Sequence, residues 1–361
     1  MCIRDSMITV NNESVEVLIE DKKFDLPFLW LRDNCQCDEC RITETQEKQF
    51  LLHTVPVDIS PEKIDMVEDS LEIKWPDGHD SVIPINKILE CGAPRYPGYK
   101  FWSKSFTPNR FAWKDFLDDI PTAIEALTDL VSYGVIILKE APKESNSLEM
   151  LSKRLGPIHE TLFERIHNVS VNGHVYNVAH TPKGLPPHND FASYKSQPSI
   201  QALHMLENEC EGGESIIVDG WKLLEDLRDD RPDFFKILQD FDVPFREFDE
   251  ENETFAEAPI ITCSNNGSIE SFRYSNQLMQ MINPTKHGVK DFYMAYHELT
   301  TRIHNPKYRS TFRLNGGEVL IVASHRVLHA REPFTPNGIR HLQDAYFVYD
   351  NAANNLVLLS N

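Results

Sequence analysis

Three cysteines stand within one short loop, Cys35-Gln36-Cys37-Asp38-Glu39-Cys40. A closed tetrahedral zinc site takes four nitrogen or sulfur donors and leaves no open position. The fourth donor must come from elsewhere, and His79 is the candidate. It sits on the turn Pro76-Asp77-Gly78-His79, from which a hairpin could fold back over the cysteine loop. The plain alternative is three partly exposed free thiols. A catalytic zinc is disfavoured, because no general base stands nearby in sequence. The remaining cysteines, Cys2, Cys91, Cys210 and Cys263, are scattered. An odd total without a secretory leader is not a disulfide framework.

A second constellation lies far downstream. His188-Asn189-Asp190 is an HxD triplet. In extended backbone, residues i and i+2 point to one side, so both side chains can grip one metal. Alone the triplet is weak evidence, since among 14 histidines about one such triplet arises by chance. Context strengthens it. His329 follows in Val327-Leu328-His329-Ala330-Arg331, and Arg340 opens a later strand. Two histidines and one carboxylate with open positions form the facial triad of non-haem Fe(II) oxygenases. A guanidinium fork pairs bidentately with a carboxylate. Arg340 therefore suits a 2-oxoacid cosubstrate whose other end chelates the iron. Two other classes compete: hydrolysis by zinc in the same triad, and a non-catalytic binding module that keeps the fold.

The elements that must hold these groups read as α+β. Residues 7 to about 90 are mostly β, with Ser14–Ile19 alternating and Leu71–Trp75 and Ser81–Ile85 flanking the turn. Cys91–Phe111 is rich in Gly, Pro and aromatics and marks the domain boundary. The division expected is 7–95 and 110–361. Helices are predicted over Pro121–Ser132, Ser147–Leu155, Trp221–Arg228, Arg231–Gln239 and Lys290–Ile303. Short strands are predicted over Val175–Ala179, Ile200–Leu206, Ser215–Val218, Ser271–Tyr274, Val319–Val322 and Leu342–Tyr349. The leader MCIRDS joins no pattern and reads as a remnant, with Met7 as the natural start.

The chain has 361 residues and a formal charge of −20. That balance argues against nucleic acid, which needs clustered Lys and Arg, and against anionic membrane surfaces. With 41% hydrophobic residues a folded core is expected. No apolar run suits a membrane span. A cytoplasmic protein is the expectation.

The chain resembles the γ-butyrobetaine dioxygenase group within the taurine dioxygenase-like superfamily, over about residues 7–355. The resemblance is carried by Leu29-Trp30-Leu31-Arg32-Asp33-Asn34-Cys35, Trp75-Pro76-Asp77-Gly78-His79, Asn177-Val178-Ala179 and His188-Asn189-Asp190. It continues through Gly212-Gly213-Glu214-Ser215, Val218-Asp219-Gly220, Arg326-Val327-Leu328-His329 and Arg340-His341. It implies a small zinc-binding β domain followed by a double-stranded β-helix, or jelly-roll, with helical buttresses. It implies Fe(II) on His188, Asp190 and His329, with 2-oxoglutarate on Arg340 beside Leu203 and Ser215. O2 would be consumed as 2-oxoglutarate is decarboxylated and an unactivated C–H bond hydroxylated. A homodimer is implied as well.

The same resemblance points to a small zwitterionic substrate with an ammonium group, held in an aromatic cage. Tyr346 and Phe191 match cage positions. A third cage position falls on His180 in place of tyrosine, and Tyr194 could compensate. Asn177, Asn189 and Asn276 match or adjoin polar pocket positions. Asn189 replaces a threonine usual in γ-butyrobetaine enzymes. This asparagine-rich setting tilts the expected substrate toward 2-(trimethylammonio)ethylphosphonate or 2-aminoethylphosphonate, with γ-butyrobetaine as the alternative.

Overall fold

The computed structural model describes residues 7–19, 21–170, 179 and 181–361, and all that follows concerns those residues. The chain divides between Pro94 and Arg95 into two compact units. None of the described helices is long and apolar enough to cross a membrane.

The N-terminal unit has two three-stranded antiparallel sheets. One joins Met7–Val10, Ser14–Ile19 and Lys22–Pro27; the other joins Lys63–Val67, Ser70–Lys74 and Asp80–Pro84. The period-2 pattern decides which face is buried. In Ser14–Ile19, Val15, Val17 and Ile19 are fully buried, and they share a core with Leu71, Ile73, Trp75 and Ile83. The turn between the last two strands closes with Gly78 donating to the Trp75 carbonyl and Trp75 donating to the His79 carbonyl. Gly78 has φ +84°, a conformation glycine adopts without a Cβ clash.

The second unit is a mixed α/β fold built around two sheets. A six-stranded sheet runs in the order Arg110–Ala112, Val135–Lys139, Glu318–Ala323, Ile200–Asn208, Arg340–Phe347 and His167–Ser170. A four-stranded sheet runs Leu185–His188, Val327–Arg331, Ser215–Asp219 and Arg309–Phe312. Alternating residues of the same strands feed different cores. Val135 and Ile137 join Ile217, Leu320 and Val327 from both sheets, whereas Ile136 and Leu138 pack against helical residues such as Leu127 and Leu130. On the other side, Val218 and Leu328 face Trp221, Phe292 and Leu299. Helices thus cover the outer faces, and the inner faces of the two sheets pack on each other.

The helices form where periodicity and caps agree. Ile120–Tyr133 starts with the Asp119 carboxylate accepting from the Thr122 amide, has Pro121 in its first turn, and stops at Gly134 with φ +79°. Gly220–Asp230, Pro232–Asp240 and Val289–His304 follow the predicted segments. Ser147–Leu155 differs: it is a 3-10 turn to Leu151 and then one α-turn to Leu155. The predicted strand Val175–Ala179 lies outside the described residues except for Ala179. One hairpin, Asp242–Phe248 with Glu253–Pro259, carries no sharp turn signal and is absent from the sequence reading.

Candidate metal centres and active site

In the N-terminal unit, Cys35, Cys37, Cys40 and His79 bring their donor atoms within 4.8 Å of one another. His79 Nε2 lies 3.3 Å from Cys35 Sγ and 3.5 Å from the Sγ atoms of Cys37 and Cys40. A tetrahedral zinc with Zn–S near 2.3 Å and Zn–N near 2.0 Å has N···S edges of roughly 3.5 Å. The donors therefore already stand at the corners of such a site. The loop is fixed by the Gln36 amide donating to the Val82 carbonyl. Arg32 is buried behind it, donating to Cys40 Sγ and to Asp77. One cation is well placed there, since three thiolates around Zn²⁺ leave a net negative charge. Burial pushes the Cys40 thiol up to about 12, while hydrogen bonds led by that of Ser81 outweigh burial at Cys35 and bring it to about 6.

In the second unit, His188 ends one strand and His329 lies directly opposite on the next. The register slips between Leu185 and His188, a bulge of the kind that re-aims a side chain. The two rings are 4.3 Å apart between centroids. Asp190 Oδ1 lies 3.2 Å from His188 Nε2 and 3.9 Å from His329 Nε2. Adjacent ligands at metal bonds of about 2.1 Å are separated by roughly 3 Å, so the triad needs little adjustment to hold an ion. Burial would raise Asp190, but His329, His188 and Tyr346 outweigh it and hold the carboxyl well below its usual range. Burial and His188 push His329 down to about 4. A carboxylate and a neutral imidazole are ligand states. Burial favours neutral His188 too, yet Asp190 raises it in the metal-free form.

Asp190 Oδ2 is the anchored oxygen. It accepts from the Tyr346 hydroxyl at 2.6 Å and from Gln201 Nε2 at 2.6 Å. Both donors also touch Asp344 Oδ2, at 2.9 Å. Gln201, Asp344 and Tyr346 come from neighbouring strands, Gln201 being paired with Tyr346.

Arg340 is buried and its Nε has no hydrogen-bond partner. Burial and the nearby Arg331 push it down to about 10, still charged at neutral pH. Gly213, at φ +70°, passes beside it; a Cβ there would crowd Phe334 at 3.2 Å and touch the Arg340 Nε at 3.6 Å. A buried cation without an anion fits an anionic ligand. Leu203 belongs to the inner-face core edge, and Ser215 is half-buried opposite Arg331.

The aromatic residues around Asp190 gather as predicted, but their duties differ. Phe191, held at φ 53°, meets Tyr194 and Tyr346 edge-to-face with centroids 5.0 and 4.9 Å apart. His167 and Phe163 close the same cluster. Tyr346 is buried with its hydroxyl committed to Asp190, so it holds the triad carboxylate as well as packing on the other rings. The Tyr194 hydroxyl oxygen accepts from the Leu162 amide.

Two polar expectations need correction. Asn189 is fully buried. Its amide donates to the carbonyls of Phe272 and Ser324, and its oxygen accepts from the Tyr274 amide. It pins the loop and has no group left for a substrate. Asn276 is exposed and accepts from the Tyr296 hydroxyl, with no contact to the triad. Asn177 and His180 lie outside the described residues. His325 and His341 take no part in the triad; they meet the Ser199 carbonyl and Asn168 respectively.

Sequence reasoning missed Gln201, Asp344 and His167. Gln201 could have been noticed as a polar residue inside an apolar strand. Asp344 stands two residues from Tyr346 and so shares its face.

A buried two-histidine, one-carboxylate site, in the same unit as a buried arginine with no ion-pair partner among the described residues, is what an iron(II) oxygenase that takes an oxoacid needs. The comparisons agree. Residues 98–346 match the Taurine catabolism dioxygenase TauD, TfdA family, and residues 8–84 match the Gamma-butyrobetaine hydroxylase-like, N-terminal family. The chain is 30% identical to a γ-butyrobetaine dioxygenase of Pseudomonas sp. (strain AK-1), over 92% of this chain and 89% of that one. It is 27% identical to the mitochondrial trimethyllysine dioxygenase of Homo sapiens, over 92% and 82%. The fold resembles the crystal structure of a putative α-ketoglutarate-dependent taurine dioxygenase from Burkholderia xenovorans, with TM-score 0.51, 13% identity, and coverage of 69% and 90%. The chain belongs to the TauD, TfdA dioxygenase family and is γ-butyrobetaine hydroxylase-like. It is an Fe(II)/2-oxoglutarate dioxygenase, and its triad and cysteine cluster fit iron and zinc.

Proposed function

We propose that this dioxygenase hydroxylates an unactivated C–H bond of a small ammonium zwitterion. The observation that carries the reading is the triad with the Phe191, Tyr194 and Tyr346 rings gathered at Asp190, in a unit that also buries Arg340 with no partner at Nε. In this reading His188, Asp190 and His329 hold iron, and Cys35, Cys37, Cys40 and His79 hold zinc. The two sheets of the second unit form a double-stranded β-helix, residues 110–361, and residues 7–95 form the zinc-binding domain.

Bound iron with O2 and 2-oxoglutarate supplies the oxidation, 2-oxoglutarate leaving as succinate and CO2. The chain supplies geometry. Arg340 receives the far carboxylate of 2-oxoglutarate, with Leu203 and Ser215 beside it. Tyr346 and Gln201 hold Asp190 Oδ2, so Oδ1 stays turned toward the histidines. The aromatic rings exclude water and offer their faces to a cation.

Among zwitterions, the phosphonates rested on the asparagines, and Asn189 no longer supports them. A second reading, γ-butyrobetaine hydroxylation, draws support from the 30% identity to the Pseudomonas enzyme. Succinate release is measured with γ-butyrobetaine, trimethyllysine, 2-aminoethylphosphonate and 2-(trimethylammonio)ethylphosphonate side by side. Stimulation by at least one is expected. No stimulation by any of the four sinks the ammonium reading.

A further inference from the structure

The hairpin Asp242–Phe248 with Glu253–Pro259 carries a carboxyl that neither metal site uses. Glu247 pairs in register with Thr254, and directly opposed residues of antiparallel strands share a face. The Thr254 hydroxyl meets the Ser193 hydroxyl at 2.7 Å. Ser193 belongs to the loop that leaves Asp190, so this hairpin face is turned to the HxD loop. Glu247 Oε2 is sealed from solvent and has no hydrogen-bond partner. Its sequence neighbour Arg246 is engaged elsewhere, with Glu253.

The charges around Glu247 are mostly of its own sign. Burial first, then Asp190, with Asp249 and Asp344 behind, push its carboxyl up to about 7, with His188 opposing. A buried carboxylate oxygen without a donor is costly. Among the described residues nothing donates to that oxygen, and the missing partner is a group with a proton to donate.

We propose that Glu247 receives the substrate's cation and selects an ammonium bearing N–H over a quaternary one. This rests on the ammonium-zwitterion reading above. A primary or secondary ammonium would give Oε2 a charge-assisted hydrogen bond. A trimethylammonium presents only methyl groups and would leave that oxygen unpaired. The rings beside Asp190 pack edge-to-face on one another, and Phe191 is 4% exposed.

The test is calorimetric binding of 2-aminoethylphosphonate and 2-(trimethylammonio)ethylphosphonate to protein loaded with iron(II) and 2-oxoglutarate without oxygen. Wild type, E247Q and E247D are compared, with iron and zinc content as the check on folding. E247Q is expected to lose about tenfold or more in affinity for the primary ammonium. Its loss for the quaternary compound stays below about threefold, and E247D restores part of the primary-ammonium affinity. Equal losses for both compounds, or none, overturn the assignment. If wild type binds neither, the zwitterion reading fails by itself. Glu247 is then judged by the thermal shift with ethylammonium against tetramethylammonium. A shift favouring ethylammonium that E247Q abolishes supports the assignment; no such difference overturns it.

Discussion

In the N-terminal unit four donors meet with sulfur and nitrogen at every corner; in the second unit three donors meet on one side only. The two sites also differ in what stands behind them. The cysteine loop is backed by Arg32, which supplies charge to thiolates. The triad is backed by Tyr346 and Gln201, which take up one oxygen of Asp190 and leave the other free. A closed site uses its surroundings to balance charge, because all its coordination is spent on holding the fold. An open site uses its surroundings to fix direction, because its remaining positions must receive ligands. The residues that close each site are therefore expected to fail differently when removed.

The widest separation comes from exchanging the damage. Cys37→Ala removes one corner of the closed site. Structural zinc contributes on the order of 10 kcal/mol to small zinc-bound folds, so the variant is expected to lose its zinc and leave the N-terminal unit unfolded. His188→Ala is expected to lower succinate formation by about a thousandfold or more while keeping a full equivalent of zinc. Metal analysis of both variants checks this. Zinc retained in the first, or turnover retained in the second, breaks the contrast between the sites.

Arg340 sharpens what openness means. Its Nε is buried without a partner and it has no ion pair among the described residues, so its removal is expected to cost a ligand contact more than a fold contact. Arg340→Gln is expected to raise the KM for 2-oxoglutarate by about a hundredfold, as a lost charged bidentate pair would. Iron and zinc content stay at wild-type levels. An unchanged KM places the cosubstrate elsewhere.

The closed site was more legible in the sequence than the surroundings of the open one, and the reason is physical. Zinc ligands must be of a few types, and three of them fall on one loop with the fourth on a turn. The triad was legible as well, since an HxD pair is local and only His329 comes from afar. Gln201 and Asp344 were not. Their role depends on strands that are distant in sequence lying side by side, and sequence periodicity gives the face of a strand but not its neighbour. Asn189 misled for the opposite reason. Its position between two metal ligands suggested a pocket, but the i+1 side chain of extended backbone points away from the face its neighbours share. It turned to the carbonyls of Phe272 and Ser324 instead.

Acid acts on the two units through different groups. Zinc is released as thiolates are protonated. In the second unit, His204 is fully buried against Trp113, and neither ring nitrogen has a partner. Burial pushes it down to about 4. The folded value lies below the ordinary one, so the unfolded chain binds the proton first. The stability concerned is whole above pH of about 6.5 and is lost as pH falls toward 4, by about 3 kcal/mol. His204→Leu is expected to remove that part of the loss. Denaturant midpoints of the second unit at pH 7 and pH 4.5 for both proteins measure it; parallel slopes would show that His204 does not titrate between the states.

The smallest effect tests the backing of Asp190. Tyr346→Phe keeps the ring that packs on Phe191 and deletes only the hydroxyl at 2.6 Å from Asp190 Oδ2. Gln201 still holds that oxygen, so the carboxylate keeps one of its two donors. Loss of an outer partner to a metal ligand weakens metal binding by about tenfold or more. The expected outcome is an iron Kd raised about tenfold, with the KM for the small-molecule substrate changed less than about twofold. The reverse pattern would make Tyr346 a wall of the substrate cage and not a support for the metal. It would also mean that the open site, like the closed one, spends its backing on its contents and not on their direction.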